Sequence, residues 1–123
     1  MANFVITVDE YTNLPPTVVG DGAETTAHDT DIVFTRVMFT TNTVPPYADP
    51  EFDPALNLKI TSLPLSGELY DDGVQITITP HVISFADIDL NKLTYSPDGT
   101  NLTAHNTSFL FEISDTGSST YVG

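Results

Sequence analysis

The chain has 123 residues, 17 of them acidic against three basic ones (Arg36, Lys59 and Lys92), and a net charge of −14 at neutral pH. Such a field repels nucleic acid and anionic membrane surfaces, so neither is expected as a partner. There is no cysteine, 40% of the residues are hydrophobic, and a chain of this length buries roughly 65% of its unfolded surface. One domain that folds without disulfide or metal support is therefore expected. No run of about 18 apolar residues and no basic start before an apolar run is present, which predicts neither membrane insertion nor a secretion signal.

From the start, residues 3–8 put Phe4, Ile6 and Val8 on one face and read as a strand. Residues 9–16 end in Pro15-Pro16, which lack amide donors and hold the backbone extended, as in a connector. Residues 17–19 suit a short edge strand, and 21–30 are a polar loop. Residues 32–40 read as a strand with two apolar faces, Ile32, Phe34 and Met38 on one and Val33, Val37 and Phe39 on the other, interrupted by Arg36. Residues 40–54 contain Pro45, Pro46, Pro50 and Pro54 and the acids Asp49, Glu51 and Asp53. That composition makes a long loop, and loops of this length in compact domains are usually functional or interfacial.

Residues 57–78 organise the sheets. Leu56, Leu58 and Ile60 alternate with polar residues, as in a strand buried on one face, and Val74, Ile76 and Ile78 repeat that period. Asp72-Gly73 between them marks a tight hairpin, because both positions of such a turn need positive φ; residues 68–70 should pair antiparallel with 74–76. Further on, Ser84 is placed to cap a single helical turn that plugs Ile88 into the core and leaves Asp87 and Asp89 in water. Leu93 and Tyr95, the Pro97-Asp98-Gly99 turn, and Phe109, Phe111 and Ile113 complete the pattern. Seven to nine short strands with no amphipathic helix predict an all-β, antiparallel β-sandwich.

The runs Tyr47-Ala-Asp-Pro-Glu-Phe-Asp, Leu58-Lys-Ile-Thr-Ser-Leu-Pro-Leu-Ser-Gly-Glu-Leu, Ile83-Ser-Phe-Ala-Asp-Ile-Asp-Leu-Asn-Lys-Leu-Thr-Tyr-Ser-Pro-Asp-Gly and Phe109-Leu-Phe-Glu-Ile-Ser-Asp occur in this order, after Asn13-Leu-Pro-Pro. Together they resemble a cadherin-like repeat of the chondroitin-sulfate-proteoglycan type over residues 13–120. The resemblance implies an immunoglobulin-like (cadherin-like) sandwich without catalysis, normally strung in tandem in large surface proteins and also found in phage structural proteins. There are two departures. The family's Glu-Asp-Thr run is here His28-Asp29-Thr30, which removes a carboxylate from a calcium shell. The family's closing strand would follow Asp115, whereas residues 4–9 resemble the closing strand of a preceding repeat. The division expected is therefore an N-terminal strand and connector over residues 1–12 and a sandwich domain over 13–123.

Asp49, Glu51 and Asp53 have the alternate-residue spacing that suits a hard cation needing six to eight oxygens, and the resemblance points to calcium. The competing reading is a solvated acidic loop, and Pro54 stands where an EF-hand loop would carry glycine. No cofactor is required on this reading, with calcium the one candidate. His28, His81 and His105 lack a paired ligand spacing, and no nucleophile motif frames the serines. The function expected is a non-enzymatic structural protein that assembles with itself or with a larger particle, foremost a phage virion as a capsid decoration or auxiliary protein. The alternative is a calcium-dependent adhesion module of a large secreted protein at the cell surface. In either setting Phe4, Ile6 and Val8 are expected to complete a sheet of a neighbouring chain by strand exchange, because a sandwich ending at β-residues 109–114 leaves an edge unpaired. Pairing of residues 3–8 at their own edge, with 118–122 as a short closing strand, is the alternative arrangement.

Overall fold

The computed structural model describes residues 1–8 and 13–123. Among them run β1 (Ile32–Val33), α1 (Arg36–Phe39), β2 (Ala55–Ile60), β3 (Glu68–Asp71), β4 (Val74–Gln75), β5 (His81–Ser84), α2 (Phe85–Asp89), β6 (Leu93–Ser96) and β7 (Phe111–Asp115). The seven strands form two antiparallel sheets, ordered β1-β6-β3-β4 and β5-β2-β7, that pack as a β-sandwich. The core between them holds Leu58, Ile60, Leu69, Ile83, Phe85, Ile88, Leu93 and Ile113, all buried. Each such side chain taken fully out of water stabilises the fold by about 1.5–3 kcal/mol.

The hairpin forms as its turn residues require. Asp72 and Gly73 both take positive φ (52° and 79°), Tyr70 pairs with Gln75, and the Ile76 amide donates to the Leu69 carbonyl at 2.8 Å. The Ser84 hydroxyl accepts from the Asp87 amide at 3.1 Å, which caps α2 and drives Ile88 into the core.

Four expectations within residues 13–123 are corrected. Residues 32–40 are not one strand: β1 stops at Val33 and a helical turn follows. A continuous strand would send Phe34 and Phe39 to opposite faces, and the turn brings both rings into one core, 5.3 Å apart. It also frees Arg36 to donate to the Ala55 carbonyl at 3.0 Å and to Asp89 at 2.8 Å. In β2 a register shift between Ala55 and Asn57 turns Leu56 outward and Ala55 inward. Of Val74, Ile76 and Ile78 only Ile76 is buried, because β4 is two residues long and its ends overhang the core. Residues 17–19 contribute only an isolated bridge, Val18 to Ala48, which with Asp21 to Val44 laces this stretch to the proline-rich loop.

Residues 3–8 form no strand either. Phe4, Val5, Ile6 and Val8 are 75–88% exposed, and among the described residues they make no hydrogen bond to the sandwich. A strand needs a ladder partner, and among the described residues none lies beside them. Of the expected connector, residues 9–12 lie outside the described residues. No helix among the described residues is long and apolar enough to cross a membrane.

Candidate metal centre

The loop carrying Asp49, Glu51 and Asp53 is wound about the first of these. Asp49 Oδ1 accepts from the Glu51 amide at 2.9 Å and the Asp53 amide at 3.0 Å, while its carbonyl accepts from the Phe52 amide at 3.2 Å. The coil is tight enough that Phe52 takes φ 60° with its ring in solvent. Tyr47 braces the far side by donating its hydroxyl to the Asp53 carbonyl at 3.0 Å. Residues 13 and 14 strap the front: the Leu14 amide donates to Glu51 Oε1 at 2.8 Å and Asn13 Nδ2 to Asp115 Oδ1 at 3.4 Å.

Asp115 reaches the site through the sheet. The bulged register pairs Ala55 with Asp115, and the Thr116 amide donates to the Pro54 carbonyl at 3.2 Å, so the last residue of β7 lies where the loop enters β2. Asp49, Glu51, Asp53 and Asp115 each offer a carboxylate oxygen, and those oxygens lie within 4.8 Å of one another. All three residues expected from the sequence are thus brought together, with a fourth that sequence reasoning did not select. A signal for Asp115 was present: in Phe111, Ile113, Asp115 the two-residue period puts an acid on the core-facing side of a strand.

The electrostatics of this cluster are unbalanced. Asp49 is 7% exposed and Asp115 fully buried, and the Oδ2 atoms of both, with Glu51 Oε2, are buried without a hydrogen-bond partner. Burial and the neighbouring Asp49 carboxylate push Asp115 up to about 6. Burial acts on Asp49 in the same sense, but a proton that Asp115 carries and shares with it, together with the hydrogen bonds from the Asp53 and Glu51 amides, outweighs burial and holds Asp49 below the usual carboxylate range. The Tyr47 hydroxyl is pushed up by burial and then by the negative charges of Asp49, Asp115 and Asp53. Ionised carboxylates only accept hydrogen bonds, so orphaned oxygens at this density call for either a shared proton or a cation.

The donor set fits a hard divalent cation. Four carboxylates on a loop and a strand end supply oxygen ligands alone, the chemistry of calcium rather than of the softer transition metals. The histidines lie elsewhere: His81 Nε2 is 2.8 Å from Asp71 Oδ2 and His105 Nε2 is 3.0 Å from the Ser66 hydroxyl. Asp87 and Asp89 face Lys92 and Arg36 on the surface.

No protein-family model, curated protein or solved structure matches this chain. The molecule is a small β-rich domain of two antiparallel sheets.

Proposed function

We propose that the chain is a non-enzymatic structural module of cadherin-like type, steadied by one calcium ion held by Asp49, Glu51, Asp53 and Asp115, whose working partner is protein. The observation that carries this reading is the pair of orphaned Oδ2 atoms on the buried Asp49 and Asp115, turned into a cluster of four carboxylates. A calcium ion bound there would offset two of the four negative charges and join the proline-rich loop to the end of β7. Asp49 would keep its two amide hydrogen bonds through Oδ1 while offering Oδ2, and backbone carbonyls and water would complete the shell.

The net charge of −14 supports a protein partner over nucleic acid or an anionic membrane. Sites of this kind outside cells bind calcium at about 10⁻⁴ to 10⁻³ M, a concentration met on a cell surface or on a virion exterior. Assembly on a particle such as a phage capsid, as a decoration or auxiliary protein, is the setting we favour; the order of family-like runs from Asn13 to Asp115 supports it by resemblance. The decisive experiment is calorimetric titration with calcium and magnesium, paired with thermal melts in millimolar calcium and in chelator. Binding with a rise of several degrees in Tm, lost in the double variant Asp49→Asn, Asp115→Asn, is expected. A chain that takes up no calcium and melts identically in both buffers would overturn the calcium reading.

A further inference from the structure

Two loops 39 residues apart in sequence bring Ser66 Oγ to 3.0 Å from His105 Nε2. The other ring nitrogen, Nδ1, lies 2.9 Å from the Thr103 carbonyl oxygen. A carbonyl only accepts, so Nδ1 carries the proton and Nε2 keeps its lone pair for the Ser66 hydroxyl. The opposite tautomer, with Nδ1 accepting from Asn101 Nδ2 at 3.3 Å, would set a lone pair against the Thr103 carbonyl at the shorter distance. Asn101 closes the turn, its Oδ1 accepting from the Thr103 amide at 3.1 Å. A nucleophile, a base and a group that orients the base thus stand in hydrogen-bond contact, the arrangement that activates a hydroxyl.

The backbone of the serine is fixed on both sides. Its carbonyl accepts from the Tyr95 hydroxyl at 2.9 Å and its amide donates to Thr107 Oγ1 at 3.4 Å, which ties the two loops together. Asp98 stands near the base: its carboxyl is held below the usual range first by hydrogen bonds from Thr100 and then by attraction to His105. Ser66 is half-buried and His105 exposed, so a reagent reaches both from solvent. His105 also lines an open cavity of about 1010 Å³ between the loops around residues 22–28 and 101–108, floored by Phe34, Met38, Phe39, Phe109 and Phe111. Its rings are already partners, Phe34 with Phe109 at 5.8 Å and Phe39 with Phe111 at 5.2 Å, so an apolar chain entering would meet aromatic faces. Among the described residues Glu24 is the one acid lining this cavity, in a molecule of net charge −14.

We infer that Ser66 is a site of covalent acylation, taking an acyl group from an activated aliphatic ester or thioester whose chain lies in the cavity. Ser66 Oγ attacks the carbonyl carbon of the donor while His105 Nε2 removes its proton. The Oγ–C bond forms, the bond from that carbon to the leaving oxygen or sulfur breaks, and the proton passes from Nε2 to the departing phenolate or thiolate. The products are an acyl ester on Ser66 and a free phenol or thiol, with no change of oxidation state. The imidazolium formed between the two proton transfers is met by the negative charge of Asp98. Each methylene of the acyl chain buried on the aromatic floor tightens binding by up to about fourfold, so longer aliphatic donors react in preference to acetyl ones. The inference uses neither the acidic cluster nor assembly, and one adduct per chain is compatible with a structural module.

The test incubates the full chain with para-nitrophenyl acetate, butyrate and hexanoate, follows release of para-nitrophenolate, and locates the adduct by peptide mass spectrometry. One acyl group per chain, on Ser66, is expected, with hexanoate faster than acetate. Ser66→Ala should remove both the adduct and the fast release. His105→Gln should slow acylation on the order of a hundredfold with Tm unchanged, and should flatten the rise in rate that accompanies loss of the imidazole proton. A folded chain acylated no faster than the same chain unfolded in urea overturns the inference, as does an adduct spread over several serines. Fast release that persists in Ser66→Ala overturns it too, because His105 is then attacking the ester itself.

Discussion

Asp49 and Asp115 meet as a buried carboxylate pair at the seam between the proline-rich loop and β7, each with an Oδ2 that finds no donor while both are ionised. The two are pushed apart in proton affinity, Asp115 up to about 6 and Asp49 below its ordinary range, because two like charges at this separation and depth cannot both be borne cheaply. Whatever neutralises them, proton or cation, also locks the loop to the sheet.

A pH dependence follows for the metal-free protein. Asp115 keeps its proton in the folded state up to about pH 6, whereas in the unfolded chain it would lose it near its ordinary value of 3.8. The folded state therefore binds more protons across that window, and its stability falls as pH rises from about 4 to about 6, with a slope approaching 1.4 kcal/mol per pH unit. The lowered Asp49 acts in the opposite sense at lower pH, its contribution being lost as pH falls. Urea unfolding in chelator at several pH values measures the slope. Asp115→Asn should flatten the difference, which separates it from the general repulsion of an acidic chain; equal slopes for variant and wild type would count against the shared proton.

A calcium ion bound as proposed would compete with that proton for the same oxygens. Affinity should be level above about pH 6 and weaken by up to tenfold per pH unit below it, with close to one proton released per ion bound in the lower range. Calorimetry in buffers of different ionisation enthalpy reads the proton count. In Asp115→Asn the release should vanish together with most of the affinity.

Gly67 is required where it stands. Its φ is 78°, and a Cβ there would run into the Tyr95 ring, whose hydroxyl donates to the Ser66 carbonyl at 2.9 Å. Gly67→Ala combines a disfavoured backbone with displacement of a core ring and should cost about 2–3 kcal/mol in denaturant unfolding. A change under half a kilocalorie would show that the Tyr95 side chain relocates freely.

Phe39 is the hub of the aromatic core, with rings of Phe34, Phe85, Phe109 and Phe111 at 5.2–6.4 Å. Truncation to alanine next to an existing opening removes contacts that nothing nearby can replace. Phe39→Ala should cost about 3–5 kcal/mol. Ser84→Ala, which only uncaps α2, should cost about 1 kcal/mol. The ratio between them, measured by the same denaturation experiment, tests whether the core rather than the helix turn limits stability.

Some of this architecture depends on residues acting locally, and there the sequence sufficed. Asp72-Gly73 makes a hairpin turn because of backbone sterics, Ser84 caps because a hydroxyl stands three residues before an orphan amide, and Leu58, Ile60, Ile83, Leu93 and Ile113 take their faces from a period of two. The acidic triplet Asp49, Glu51, Asp53 was legible for the same reason, being contained in one short loop. Tertiary structure alone decided what depends on distant partners. The strand through residues 32–40 broke because a shared core had to receive both Phe34 and Phe39. Leu56 turned outward because a bulge set the β2–β7 register. Residues 3–8 stayed unpaired because alternation makes a strand only where an edge receives it. Asp115 joined Asp49 for a reason no local pattern contains: only the pairing of β2 with β7 brings a carboxylate at the end of one strand beside a loop that enters the other.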